Sequence, residues 1–326
     1  MIGARFGGRR AVVLGGASFI GSHLVERLVA AGASVVVVDD LSSGRLDNLE
    51  ACQGRIELHQ ADASLPGVAE RACSGASAVF HLAARHGGRG YIDSHPVACA
   101  TNVALDAVVL RAAAASGVDN VVFASSACAY PIDLHEGSGV DGALAERDAG
   151  FDVAGRAFAD GEYGWAKLYT ELQLAAFVKE QAFHATAARL FNAYGPREEE
   201  SHALVALALR ALAREDPFLI WGDGKQRRSF THVDDIVTGL CLCATTTGFE
   251  VFNVGAAETV SIDELCEAIF AEVGWRPSTL HHDRSKPVGA RVRVPDTAKL
   301  REAFGWEPST ALVDGLAQTV EWLRSR

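Results

Sequence analysis

Ala11-Val12-Val13-Leu14-Gly15-Gly16-Ala17-Ser18-Phe19-Ile20-Gly21 is the stretch from which the fold is read. An apolar run enters a glycine turn, and a helix-like segment starts at once behind it. A buried strand feeding a tight turn and then a helix has this signature. Glycines there let the backbone approach a pyrophosphate closely, and helix N-terminal amides bind its oxygens. Asp39 ends the next apolar run, where a carboxylate accepts hydrogen bonds from an adenosine ribose and repels a 2′-phosphate. The pattern predicts NAD rather than NADP, held by Gly15, Ser18, Phe19, Ile20 and Gly21 with Asp39 on the ribose. Ser18 stands where a glycine is usual.

Working outward, apolar runs at residues 11–14, 34–39, 56–59, 78–82, 120–124 and 185–191 read as buried parallel strands. Helix-like segments at 19–31, 66–73, 97–116 and 163–180 alternate with them. Such alternation predicts an α/β fold: a Rossmann-type doubly wound parallel sheet with a smaller C-terminal substrate-binding lobe. Residues 1–192 are expected to form the NAD-binding domain, with 233–254 returning to it, and 193–232 with 255–326 to form the lobe. The polar, glycine-rich stretch 132–162 is long for a structureless connection and is expected to be a lid or partly folded.

The 326 residues are 49% hydrophobic and 22% charged, the make-up of a soluble globular protein. A net charge of −11 speaks against a nucleic-acid partner. The basic start is not followed by the long apolar stretch of a secretory signal, and no apolar run reaches the roughly 18 residues of a membrane span. Seven cysteines, an odd number with no CxxC pair, argue against a disulfide framework or structural zinc and for a reduced, cytoplasmic setting. His281-His282-Asp283 has no further ligand spaced to complete a site, so no metal is expected.

Two further segments carry chemistry: Ser125-Ser126-Ala127-Cys128-Ala129-Tyr130-Pro131 and Tyr163-Gly164-Trp165-Ala166-Lys167. Residues four apart share a helix face, so Lys167 is placed to favour the Tyr163 phenolate and lower its pKa from about 10. A phenol that exchanges a proton near neutral pH suits oxidation of a sugar hydroxyl. Ser126 is expected to hold the reacting oxygen, and Cys128 to be a second acid or base.

Through these residues the chain resembles the extended short-chain dehydrogenase/reductase family of nucleotide-sugar epimerases and dehydratases. The likeness runs from about Ala11 to the C-terminus and includes Asp39, Asp62, His81-Leu82-Ala83-Ala84, Ser125-Ser126, Tyr163 with Lys167, Arg189-Leu190-Phe191-Asn192 and Gly222-Asp223-Gly224. Within the family it is most similar to the branch that inverts C3 and C5 of a GDP-sugar, through Gly87-Gly88-Arg89-Gly90, Cys128 and the run from Trp221 to Thr231. The resemblance implies a tightly held NAD, with Asp62, Leu82, Ala83, Ala84, Asn102, Tyr163 and Lys167 also touching it. It implies a transient 4-ketone, after which either C4 or C3/C5 is inverted and hydride returns. In the C3/C5 branch a cysteine removes the proton and a lysine returns it. Cys128 matches the first, but no lysine stands in Glu199-Glu200-Ser201-His202-Ala203, where His202 is the nearest candidate. The nucleotide-diphosphate sugar, GDP favoured, is expected on Gly88, Arg89, Ser126, Asn192, His202, Arg228 and Arg291 or Arg293, since arginine forks suit phosphate oxygens. A homodimer through helices near 97–116 and 163–180 is implied as well. A sugar 4,6-dehydratase and a non-catalytic NAD-sensing protein are the alternatives.

Overall fold

A computed structural model describes residues 5–135, 143–151, 158–286 and 288–326. Seven parallel strands form the central sheet. The first six are β1 (Arg10–Leu14), β2 (Ser34–Asp39), β3 (Ile56–Gln60), β4 (Ala78–His81), β5 (Asn120–Ser126) and β6 (His184–Leu190), and the seventh is Phe249–Val254. Across the sheet the order is β3, β2, β1, β4, β5, β6 and then Phe249–Val254. The doubly wound α/β fold expected from the strand-helix alternation is therefore present. Strand order reverses between β1 and β4, and ligands of such sheets sit beyond the carboxyl ends at that point.

Successive strand residues point to opposite faces, and both faces are covered. Val13, Val37 and Phe80 pack with Leu24 and Leu28 of the helix Phe19–Ala30 and with Ile236 and Leu240 of the helix Val233–Cys243. Val12, Val36, Val79 and Phe123 pack with Leu110 of the helix Asn102–Ala115 and Leu174 of the helix Gly161–Lys179. A third apolar cluster belongs to the chain beyond β6 and includes Tyr194, Leu204, Phe218, Ile220, Leu265, Phe270, Leu316 and Val320. Short strands frame it. Phe218–Trp221 pairs with Leu280–Asp283, and Arg227–Arg228 lies between Val260–Ser261 and Val292–Arg293.

Local chemistry adjusts two expected helices. The one near 66–73 starts at Val68, because Gly67 precedes it at a left-handed φ of 79°. The one near 97–116 divides into Pro96–Ala100 and Asn102–Ala115, and the Thr101 hydroxyl between them donates back to Val97 O at 2.9 Å. By length and composition Pro96–Ala115 passes for a membrane span, contrary to the sequence expectation. Its buried side carries Asp106, which is bonded to His81 and Thr170, so the helix packs onto the sheet through that side.

Of the stretch expected to be a lid, residues 136–142 and 152–157 lie outside the described residues. The described parts are tied down: Pro131 bridges Ala159, and Leu144 bridges Pro295. Arg189 on β6 donates to Glu146 O and Ala149 O, both at 3.0 Å. The same buried guanidinium pairs at two points with Glu171, Nε to Oε1 at 2.9 Å and Nη2 to Oε2 at 2.7 Å. A buried ion pair is sustained only when its remaining donors are also met, and removing one partner typically costs about 3–5 kcal/mol. The two carbonyls meet that condition, so one arginine fixes the 143–151 segment onto the sheet.

Candidate active site

At the carboxyl ends of β1 and β2 a cleft of about 300 Å³ is lined by Gly15, Ser18, Asp39, Asp62, Leu82, Ala83, Ala84 and Asn102. A Cβ on Gly15 would stand 2.9 Å from Ala83 N, and one on Gly21 would overlap Gly15 O. The turn therefore closes directly onto the first turn of the helix Phe19–Ala30 and onto the residues after β4. Ser18 accommodates its departure from glycine by donating its hydroxyl to Gly15 O at 2.6 Å. Asp39 accepts from Ala17 N and from Leu41 N, both at 2.9 Å, and burial holds its carboxyl above the usual range. Its oxygens thus order the turn, and each retains a second lone pair for a ribose hydroxyl. Asn102 holds the Arg85 backbone from both sides, accepting from its N at 2.7 Å and donating to its O at 3.0 Å. Arg85 in turn pairs with Asp40 at 2.8 Å on the same cleft, a pair the sequence did not suggest. These features fit a dinucleotide: a side-chain-free cradle, a helix N-terminus and a carboxylate at the end of β2.

A second cleft of about 700 Å³ adjoins the first, and Ser18, Leu82, Ala84 and His86 line both. It gathers Phe19, Ile20, Gly88, Arg89, Ser126, Cys128, Tyr163, Lys167, Asn192, His202, Arg228 and Arg293. Arg291 is not among its lining. It is exposed beside the strand Val292–Arg293, and its carbonyl accepts from Arg227 N at 2.9 Å. Of Arg291 and Arg293, only Arg293 lines this cleft.

The helix Gly161–Lys179 brings the catalytic candidates together. Its Gly164 lies so close to the end of β5 that a Cβ there would overlap Cys128 O. Lys167 donates to Ala124 O at 2.7 Å, with its ammonium 4.5 Å from the Phe123 ring centre and 5.6 Å from that of Tyr163. Burial raises the Tyr163 pKa above its ordinary value, and the Ser126 hydroxyl opposes that rise only weakly. Burial likewise pulls Lys167 down. Desolvation disfavours charge on both groups.

Asp160, at the start of this helix, went unnoticed in the sequence. An aspartate at such a position normally caps its helix, yet this side chain makes no cap bond. Its carboxylate instead accepts from Arg89 Nη1 at 2.9 Å and Arg293 Nη2 at 2.8 Å, and Arg293 Nη1 lies 3.3 Å from Cys128 Sγ. Burial works against the Asp160 charge, but the two guanidiniums overcome it and hold the carboxyl below the usual range. Arg228 has no carboxylate within ion-pair distance among the described residues. It donates to Val288 O at 3.0 Å, and burial, then Arg293, pull its pKa down to about 9. Such a site favours an anion. His202 reaches the cleft with its Nδ1 3.0 Å from Glu198 Oε1, a second partner missed in the sequence. The remaining six cysteines are buried, whereas Cys128 is only half-buried.

The model of the NAD dependent epimerase/dehydratase family matches residues 11–255. The chain is 32% identical to GDP-mannose 3,5-epimerase 1 of Oryza sativa subsp. japonica over 322 residues, covering 97% of this chain and 82% of that one. A crystal structure of UDP-glucose 4-epimerase with UDP-glucose from Thermotoga maritima superposes with a TM-score of 0.86 at 29% identity, covering 97% and 99% of the two chains. MoeE5 in complex with UDP-glucuronic acid and NAD superposes with a TM-score of 0.82 at 31% identity, again covering 97% and 99%.

The cradle makes a prediction about binding. Gly21→Ala is expected to weaken NADH binding at least about 100-fold, some 2.7 kcal/mol, in a fluorescence titration. Ser18→Gly is expected to stay within about threefold. Unchanged affinity in Gly21→Ala would contradict the placement of the dinucleotide.

Proposed function

This chain belongs to the NAD dependent epimerase/dehydratase family, and we propose that it is a nucleotide-sugar epimerase that inverts C3 or C5 through a transient 4-ketone. The observation that carries this reading is the Arg293 contact to Cys128 Sγ inside the cleft that also holds Tyr163 and Lys167. A hydrogen bond from a guanidinium is stronger to a thiolate than to a thiol, so the contact suits a sulfur that takes protons.

Gly15, Ser18, Gly21 and Asp39 would hold NAD, which would supply a hydride acceptor and donor for the sugar C4. The chain supplies the proton chemistry. Tyr163 takes the C4 hydroxyl proton and later returns it, with Ser126 holding that oxygen and Lys167 beside the ring. A ketone at C4 makes the hydrogens at C3 and C5 acidic, and Cys128 takes one of them as the electron pair moves into the enolate. Arg228 and Arg293 bind the diphosphate with Asn192, and Gly88 and Arg89 border the sugar. The likeness to the rice epimerase supports a GDP-sugar. Inversion at C4 by hydride return alone is the second reading, favoured by the likeness to the Thermotoga enzyme.

Other parts of the reading rest on other observations. The separate apolar cluster beyond β6 supports the division into residues 1–192 with 233–254 and residues 193–232 with 255–326, except that Leu300, Phe304 and Trp306 pack with the first core. Seven unpaired cysteines support a reducing, cytoplasmic setting. Val97, Trp165, Tyr169 and Leu172, exposed apolar side chains on the helices Pro96–Ala100 and Gly161–Lys179, support a homodimer through those helices.

Two measurements test this reading. Incubation with GDP-, UDP-, ADP- and dTDP-sugars is expected to give an isomer by NMR with no net consumption of NAD. Tyr163→Phe should lose about 10²–10⁴-fold in rate; no isomer from any of the sugars, or full activity in that variant, overturns the reading. In analytical ultracentrifugation the wild type is expected to sediment as a dimer and Tyr169→Glu as a monomer, and a monomeric wild type would remove the dimer.

A further inference from the structure

Glu198 and His202 stand four residues apart on the substrate cleft, and both line it. Glu198 is almost wholly buried. One of its carboxylate oxygens, Oε1, meets His202 Nδ1 at 3.0 Å, while the other, Oε2, is buried without a hydrogen-bond partner. A buried carboxylate with a single partner is costly unless that partner carries charge. Carboxylate contact at Nδ1 fixes the imidazole orientation and leaves Nε2 as the ring nitrogen that can act on a ligand.

The neighbourhood is shaped for this contact. Gly88 lies against Ser201 O and His202, where a Cβ would overlap the carbonyl, so the turn after β4 presses the histidine segment to the cleft. The His86 ring lies 6.4 Å from that of His202, and burial, then His202 itself, lower its pKa to about 4, leaving it neutral. Glu199 also faces the imidazole electrostatically. Glu200 is turned away to Arg326 at 3.2 Å. Around His202 there are therefore two carboxylates and one neutral ring.

We propose that His202 is the catalytic acid that returns a proton to the inverted carbon, and that Glu198 is the positioning residue that keeps it oriented and charged. The proposal rests on the enolate reading above. The balance closes without a further reactant. Cys128 takes the proton from one side of the carbon, the electron pair moves into the enolate, and His202 Nε2–H gives a proton to the other side as the pair returns to form the new C–H bond. His202 is left neutral and Cys128 protonated, and solvent exchange restores both. Burial alone would lower His202, but the hydrogen bond and charge of Glu198, with Glu199, outweigh it and raise the pKa above 6.5. Glu198 is itself raised by burial. The hydrogen bond and charge of His202 pull Glu198 the other way, as an ion pair should, but do not overcome its burial.

The first test needs no substrate. In full-length protein with 15N-labelled histidine, the His202 resonance is the one missing from His202→Gln. It is expected to titrate above 6.5 in the wild type and to fall to 6.5 or below in Glu198→Gln. An unshifted titration in that variant, or a wild-type value below 6.5, overturns the proposal whatever the enzyme acts on. The second test uses any sugar of the panel that turns over. His202→Gln should still reduce bound NAD on mixing, seen by near-ultraviolet absorbance, but lose isomer release at least 100-fold. His202→Lys, which restores a charged donor, should recover part of it. Wild-type turnover should fall on the alkaline side as His202 loses its proton, and Glu198→Gln should move that limb to lower pH. Loss of NAD reduction in His202→Gln, or full turnover, would contradict the assignment. Isomer formed by the wild type with no exchange of carbon-bound hydrogen would instead sink the enolate reading and leave the titration result standing.

Discussion

The helix Gly161–Lys179 lies so close against β5 that the remaining geometry of the site follows from it. Contacts recur along one face of the helix at the spacing of its turns. Gly164 meets Cys128 O, Lys167 donates to Ala124 O, and Glu171 accepts from Ser125 at 2.6 Å. Thr170 reaches Asp106 at 2.6 Å, and Asp106 also bonds His81 at 2.7 Å. Tyr163 is thereby delivered to the end of β5, beside Ser126 and Cys128. A side chain at Gly164 would push the helix away and separate these groups together.

Charge within the site is organised against the charge of the whole protein. The chain carries a net −11, yet Arg89, Arg228 and Arg293 converge on one cleft with Asp160 between two of them. Arg228, depressed to about 9, gains most from an arriving anion, because a diphosphate offsets both its burial and its repulsion from Arg293. Asp160 keeps Arg293 turned toward Cys128 rather than toward solvent. One carboxylate thus links the turn after β4, the start of the catalytic helix and the C-terminal strand Val292–Arg293.

Much of the fold was legible because its strands are buried on both faces. Runs such as Val35 to Val38 admit few readings other than a parallel strand between helix layers. The spacing of Tyr163 and Lys167 and the glycine turn were legible because they are local. Asp160 and Glu198 were not, since each takes its meaning from partners brought by folding. Arg89 and Arg293 come from distant parts of the chain, and Glu198 reads as one acid in a run of three. Arg291 and Arg293 could not be separated without knowing which one the strand turns to the cleft. For Tyr163, spacing reports that a lysine is near, but not that burial works against the phenolate.

Hydrogen exchange at carbon tests the central claim most directly. The active nucleotide sugar would be turned over in heavy water and the product read by NMR, for the wild type and for Cys128→Ser. Deuterium is expected at C3 or C5 of the wild-type product, and is expected to be lost in Cys128→Ser while bound NAD is still reduced. Isomer formed without deuterium, or exchange that survives unchanged in Cys128→Ser, would contradict that claim.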